Sequence, residues 1–157
     1  GHMQWFPSVR GYNTMNSSRP QTVSVGISDS PVGLLAYSEL FNSFGNGTSL
    51  VPLEKILLEV SVNWFANAAS GMNRSYLENA RADAAADAAE DAGPRINAAR
   101  TGVAVFADDF QTIRVFAERD NANIVHWSRF DEGGHFAALE RPDLLADDIR
   151  AFFADVR

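Results

Sequence analysis

The chain contains the stretch Gly102-Val103-Ala104-Val105-Phe106-Ala107-Asp108-Asp109, and this stretch decides its fold class. A short continuous apolar run is typical of a strand buried on both faces. Asn123–Trp127 predicts a second strand, and helical patterns follow each strand, at Phe110–Glu118 and from about Pro142 onward. Strand and helix alternating at these lengths indicate an α/β protein with two parallel strand–helix units.

The region before this α/β part is expected to be mainly helical. Residues 4–22 read as an irregular loop, and the alternating Thr22–Ile27 reads as a short strand or an extended lead-in. Ser28-Asp29-Ser30-Pro31 is a strong helix start, because Ser or Asp can cap it and Pro31 loses nothing at the first helical position. Two more helices are predicted, at about Pro52–Ala69 and Asn73–Ala92.

These patterns divide the chain into three parts. Gly1-His2-Met3 is typical of an expression-vector remnant, so residues 1–3 are set aside. Residues 4–94 are expected to form a helical region, and Gly93-Pro94 ends it. Residues 95–157 hold the strand–helix units.

The composition excludes several classes of protein. With 46% hydrophobic residues, wholesale disorder is not expected. A net charge of −7 without a Lys/Arg cluster argues against nucleic acid as a partner. The absence of cysteine excludes disulfides and thiolate chemistry, and no apolar run reaches membrane-spanning length. We therefore expect a soluble, cytoplasmic protein without a membrane anchor.

Two polar residues follow the predicted strands. Ligands of open α/β sheets bind beyond the carboxyl ends of the strands, where Asp109 follows the first strand and His135 the second. An acid followed by a histidine in this order suits an orienting carboxylate and a general base. Spacing alone makes this signal weak, because a surface Asp and a loop His usually have no catalytic role. His126 lies within a strand and is interpreted as structural.

Three segments resemble one enzyme family. Gly133-Gly134-His135-Phe136-Ala137-Ala138-Leu139-Glu140-Arg141-Pro142 closely resembles the C-terminal histidine segment of microsomal-type epoxide hydrolases. Thr22–Leu34 is similar to the cap segment of the same family, and Thr101–Phe106 is similar to the strand before its catalytic acid. The segments occur in the family's order and span nearly the whole chain from Gly11 onward.

The resemblance implies a partial α/β-hydrolase fold, with a helical cap followed by the last units of the core. It also implies a mechanism in which an Asp nucleophile opens the epoxide and forms an ester, which a His–acid pair then hydrolyses with water. His135 matches the general base and Asp109 the orienting acid. Asp108 is a rival to Asp109, because the register differs by one residue.

The resemblance also implies two cap tyrosines that bind and protonate the epoxide oxygen. Tyr12 matches the first and Tyr76 the second. Positioned phenols suit this step because an alkoxide is a poor leaving group unless a donor meets its developing charge. Either residue could instead be an amphipathic packing residue whose hydroxyl points to water, and Tyr37 is interpreted in that way.

The sequence contains no Gly-x-Asp-x-Gly or Gly-x-Ser-x-Gly nucleophile elbow. Three explanations are open: a C-terminal half that needs a complementary N-terminal half, a non-catalytic homologue that self-associates or binds small molecules, and direct hydrolysis through His135. The expected small-molecule partner is a hydrophobic epoxide, and no metal or organic cofactor is expected. Whether the chain alone is an enzyme stays open at this point.

Overall fold

The computed structural model describes residues 11–38, 50–88 and 96–155. They form two compact units. The helical unit comprises residues 11–38 and 54–88, and the α/β unit comprises residues 50–53 and 96–155. The proposed vector remnant, residues 1–3, lies outside the described residues.

The described part before residue 89 is built from α-helices. Within residues 11–38, 50–88 and 96–155, every helix is too short or too polar to cross a bilayer. The helices of this part are α1 (Gly11–Ser18), α2 (Pro20–Ser28), α3 (Pro31–Tyr37), α4 (Leu53–Phe65) and α5 (Ala69–Asp87).

Helix α2 contradicts the prediction of a short strand at Thr22–Ile27. Its buried residues, Pro20, Ser24 and Ile27, recur at helical spacing rather than at alternate positions. The Ser24 hydroxyl donates to the Pro20 carbonyl at 2.8 Å and accepts from Asn73 Nδ2 of α5 at 3.2 Å. Packing against α5 therefore overrides the local alternation.

Helix α1 contradicts the predicted loop over residues 11–18. Its Asn16 side chain is buried and accepts a hydrogen bond from the Tyr37 hydroxyl at 3.0 Å. The polar composition that suggested a loop thus includes a residue of the helical core. The interpretation of Tyr37 as a packing residue with its hydroxyl in water is wrong in the second respect.

The predicted start of α3 is confirmed. Ser30 is the N-cap and accepts the Gly33 N–H at 3.0 Å, and Pro31 takes the first helical position. The helix ends at Tyr37, and residues 39–49, which follow it, lie outside the described residues. In α4 the predicted helical spacing is also present, because Ile56 and Val60 are its buried residues.

The α/β unit contains the two predicted strands. They pair in parallel, with Gly102 opposite His126 and Val103 opposite Trp127. The prediction of two parallel strand–helix units is confirmed. The elements of this unit are β1 (Thr101–Val105), α6 (Arg114–Asp120), β2 (Ile124–Arg129), α7 (Ala137–Glu140) and α8 (Pro142–Asp155).

Helix α8 packs against one face of this sheet. A Cβ on Gly102 would lie 2.8 Å from the Phe152 ring, so the missing side chain allows the helix to approach closely. Strand β1 is not buried on both faces as predicted, since Val105 is buried and the other four residues of the strand are not. The sheet is therefore covered only in part by the described residues.

Candidate active site

The loops that leave β1 and β2 are joined to each other beyond the strand ends. Phe130 N–H donates to the Val105 carbonyl, and Asp108 N–H donates to the Gly133 carbonyl, both at 2.9 Å. An isolated parallel bridge links Asp108 with Gly134. The parallel pairing thus continues into both loops, and their side chains project from one edge of the sheet.

His135 and Asp109 meet at this edge. His135 Nδ1 lies 3.0 Å from Asp109 Oδ1, within hydrogen-bond distance. Their side chains are 41% and 27% exposed, which leaves the pair accessible from solvent. The imidazole edge also contacts the rings of Phe110 and Phe136, with centroids 6.2 and 5.2 Å away. An imidazole held by a carboxylate at Nδ1 can take a proton at Nε2.

The two candidate acids occupy different positions. The Asp109 carboxylate lies within hydrogen-bond distance of His135 Nδ1, whereas Asp108 joins the two loops through its backbone N–H. The geometry therefore favours Asp109 over Asp108 as the partner of the imidazole.

Gly133 forms a tight turn just before His135. Its φ is +86°, a region that side chains rarely adopt, and a Cβ there would lie 2.7 Å from the Phe106 ring. Phe106 is buried and stacks on Phe130 with ring centroids 4.8 Å apart. The turn before His135 is thus formed directly over the aromatic core.

Gln111 is a residue of this site that the sequence analysis missed. Its Nε2 donates to the carbonyls of Phe106, Ala107 and Asp109 at 2.8, 3.2 and 3.0 Å. Its Oε1 accepts from Arg129 Nη2 of β2 at 3.1 Å. The amide therefore holds the turn that carries Asp109, and only its nearness to Asp109 in sequence could have pointed to it.

An ion-pair cluster follows the His135 loop. Arg141 pairs with Glu132 before the glycines and with Asp143 at the start of α8. The hydrogen bonds from the Arg141 guanidinium lower the pKa of the Asp143 carboxyl to about 2. The two carboxylates are held by one cation on either side of the loop.

The two candidate tyrosines lie together in the helical unit. Tyr12 of α1 and Tyr76 of α5 are half-buried, and their rings meet edge to face with centroids 6.0 Å apart. This arrangement is a favourable aromatic contact. The four predicted site residues thus form two pairs, the phenols in the helical unit and the acid and imidazole in the α/β unit. In the described parts of the chain, no cluster of three or more His, Asp or Glu side chains is arranged to hold a metal ion.

The chain is similar to proteins named as epoxide hydrolases. It is 31% identical over 153 residues to a putative epoxide hydrolase of Stigmatella aurantiaca, covering 94% of this chain and 33% of that protein. It is 30% identical over 154 residues to Epoxide hydrolase 1 of Sus scrofa, covering 90% and 33%. No protein-family profile matches the chain.

Solved structures show the same fold. The Aspergillus niger epoxide hydrolase gives a TM-score of 0.80 at 26% identity, covering 99% of this chain and 38% of that one. The juvenile hormone epoxide hydrolase of the silkworm Bombyx mori gives a TM-score of 0.81 at 23% identity. The chain corresponds to the C-terminal part of these α/β-hydrolase proteins and spans about a third of the length of the curated relatives.

Proposed function

We propose that this chain, similar to the C-terminal part of epoxide hydrolases, contributes the water-activating pair and the epoxide-binding phenols to the hydrolysis of a hydrophobic epoxide to a vicinal diol. The hydrogen bond between His135 Nδ1 and Asp109 Oδ1, 3.0 Å long on two paired strand-end loops, carries the proposal. Relatives named for this reaction support it.

His135 and Asp109 act in the second half of the reaction. The Asp109 carboxylate holds the proton on Nδ1, so that Nε2 takes a proton from water as the water oxygen attacks the ester carbonyl. The bond between the acyl carbon and the diol oxygen then breaks, and the imidazolium returns its proton to the departing diol oxygen. The nucleophile is left as a carboxylic acid, and its proton restores the phenol that was deprotonated in the first half, so that the carboxylate is regenerated. The Asp109 carboxylate also stabilises the imidazolium that forms between these steps.

Tyr12 and Tyr76 act in the first half. Their hydroxyls donate to the oxirane oxygen while a carboxylate attacks a ring carbon and the bond from that carbon to the oxirane oxygen breaks. One phenol gives its proton to the resulting alkoxide and stays as a phenolate until the second half of the reaction. Their neighbouring positions on α1 and α5 suit two donors for one oxygen atom. In this assignment residues 4–94 are the cap and residues 95–157 are the C-terminal part of the core.

The attacking carboxylate is supplied by a complementary N-terminal part. The described residues of α4 expose a stripe of large apolar side chains, which is typical of a surface that another polypeptide covers. The stripe comprises Leu57, Leu58, Val62 and Phe65. A second copy of this chain is the alternative occupant, and analytical ultracentrifugation of the isolated chain separates the two: a stable dimer favours self-association, and a monomer favours the complementary part.

A chimaera tests the catalytic assignment. In it, residues 11–157 replace the matching C-terminal third of Epoxide hydrolase 1 of Sus scrofa. We expect diol formation from aryl or alkyl epoxides, and we expect Asp109→Asn to lower the rate about 100-fold or more. Asp108→Asn is the matched control and leaves the rate within a few fold. A folded chimaera that makes no diol from several epoxides removes the proposal.

The phenols are tested in the same chimaera. Tyr12→Phe and Tyr76→Phe each remove one donor to the epoxide oxygen, a change that typically costs about 100-fold in rate. Tyr37→Phe removes a hydroxyl that serves Asn16 instead, and it leaves the rate per folded molecule nearly unchanged. Equal effects of all three substitutions would contradict the assignment of the tyrosines.

A further inference from the structure

Glu140 contacts the backbone of the residue that precedes His135. The Gly134 N–H donates to Glu140 Oε2. A Cβ on Gly134 would lie 2.8 Å from Oε2 and 3.3 Å from Oε1, so both carboxylate oxygens lie against this glycine. Gly134 is buried and Glu140 is half-buried, which strengthens a charge-assisted hydrogen bond between them.

The single turn α7 directs this carboxylate back onto the loop. Glu140 N–H donates to the Phe136 carbonyl at 3.0 Å, and Arg141 N–H donates to the Ala137 carbonyl at 2.8 Å. The side chain at the end of this turn therefore reaches six residues back to Gly134. The hydrogen bond from Gly134 to Glu140 closes this segment into a loop, and His135 lies within the loop, directly after Gly134.

The loop that follows β1 and carries Asp109 also contacts Gly133 and Gly134. The Asp108 N–H donates to the Gly133 carbonyl at 2.9 Å, and the Asp108 carbonyl lies 3.4 Å from the position of a Gly134 Cβ. Gly133 is thus anchored to the loop that carries Asp109, and Gly134 is anchored by Glu140. Together these contacts fix the backbone of His135 relative to Asp109.

We propose that Glu140 is a positioning residue, which holds the His135 loop in the conformation that brings Nδ1 within hydrogen-bond distance of Asp109 Oδ1. Its importance for catalysis rests on the function proposed above. The placement of the imidazole does not, because it is measurable without any epoxide. Glu140 acts through the Gly134 amide and is assigned no contact with substrate.

The test is NMR of the full ¹⁵N-labelled chain. We expect Glu140→Ala to remove or broaden the Nδ1–H resonance of His135, and to accelerate amide exchange of Gly134 about tenfold or more, since hydrogen bonds to charged groups are among the stronger ones. Glu140→Gln keeps an acceptor oxygen, so we expect it to retain the Nδ1–H resonance of His135 and the slow amide exchange of Gly134. Glu118→Ala, which removes an exposed partner of Arg114 in the same unit, is the matched control and changes neither.

The ring signals of His126 serve as the internal reference. Unchanged His135 signals in Glu140→Ala, or His126 signals that change as much as those of His135, would overturn the proposal. If Glu140→Ala does not fold, Glu140→Gln decides: the Gly134 amide proton must shift while the His135 ring signals persist, and an unshifted Gly134 amide overturns the assignment. Failure of the chimaera to make diol leaves each of these readouts intact.

Discussion

Two His–Asp pairs lie in the α/β unit, and their surroundings differ. His126 Nε2 lies 2.8 Å from Asp148 Oδ1, between β2 and α8, with the two side chains 16% and 11% exposed. His135 Nδ1 lies 3.0 Å from Asp109 Oδ1 at the strand ends, with 41% and 27% exposed. The same two residue types thus serve a packed interface in one place and an accessible edge in the other.

The two pairs also differ in the ring nitrogen that contacts the carboxylate, which is Nε2 in His126 and Nδ1 in His135. At His126, Ser128 Oγ lies 3.0 Å from the same Nε2, and its hydroxyl donates to Asp148. This group has the composition of a catalytic triad, but the serine and the carboxylate both meet one ring nitrogen. A triad needs them on opposite nitrogens, so that a proton can pass across the ring. The His126 pair therefore joins α8 to the sheet, and the His135 pair is the one suited to chemistry.

The largest expected difference between the pairs is in catalysis. In the chimaera, His135→Gln removes the general base and lowers the rate of diol formation about 100-fold or more. His126→Gln keeps the rate per folded molecule, because its ring is held in the sheet–helix interface. The measurement is diol formation normalised to folded protein by circular dichroism. Equal loss of rate in both variants would erase the distinction.

The pairs should differ in the opposite sense in stability. Asp148→Asn weakens a mostly buried hydrogen-bonded cluster, and we expect it to lower the free energy of unfolding of this chain by about 1–3 kcal/mol. Asp109→Asn alters a more exposed pair, and we expect a change within about 0.5 kcal/mol. Urea denaturation of the two variants measures both values. A larger loss for Asp109→Asn would reverse the roles given to the two pairs.

The contribution of the turn before His135 to stability can be tested at Gly133. Gly133→Ala places a side chain at φ +86° and against Phe106, and we expect it to lower the free energy of unfolding by about 1–3 kcal/mol. Gly71→Ala, in α5 with open space around it, is the control and should stabilise the chain or leave its stability unchanged. Thermal unfolding compares the two. A harmless Gly133→Ala would show that the turn is not fixed as described.

The smallest effect concerns the ion pair next to this turn. The pKa of Asp143 is lowered from 3.8 to about 2, so its contribution to stability is present above pH 4 and is lost as the pH falls toward 2. Asp143→Asn removes this dependence, and its unfolding free energy should fall less steeply over that pH range. The effect is small because the pair is exposed. Identical slopes for the two proteins would contradict the pKa given for Asp143.

The sequence is informative where the signal is local. A continuous apolar run predicts β1, and the stretch Asn123–Trp127 predicts β2. Parallel strands bring their carboxyl ends to one edge, so strand order is enough to place Asp109 near His135. The local pattern is wrong for α1 and α2 because their deciding contacts are distant. Ser24 meets Asn73, which lies 49 positions further along the chain, and local alternation carries no trace of that contact.

The supporting residues of the site are hidden for another reason. Gln111 and Glu140 bind backbone atoms, whose positions depend on the turns that follow the paired strands. No pairing of side-chain types in the sequence points to such contacts. The meeting of Asp109 and His135 at one edge is therefore predictable from strand order, and the backbone contacts of Gln111 and Glu140 are not.

The most direct test of the central claim is a mass measurement on the chimaera after mixing with an epoxide. If His135 activates the water that cleaves the ester, His135→Gln must accumulate a covalent adduct with the mass of one epoxide, and His126→Gln must not. A His135→Gln protein that stays unmodified while it forms diol at the unsubstituted rate would contradict the role given to His135.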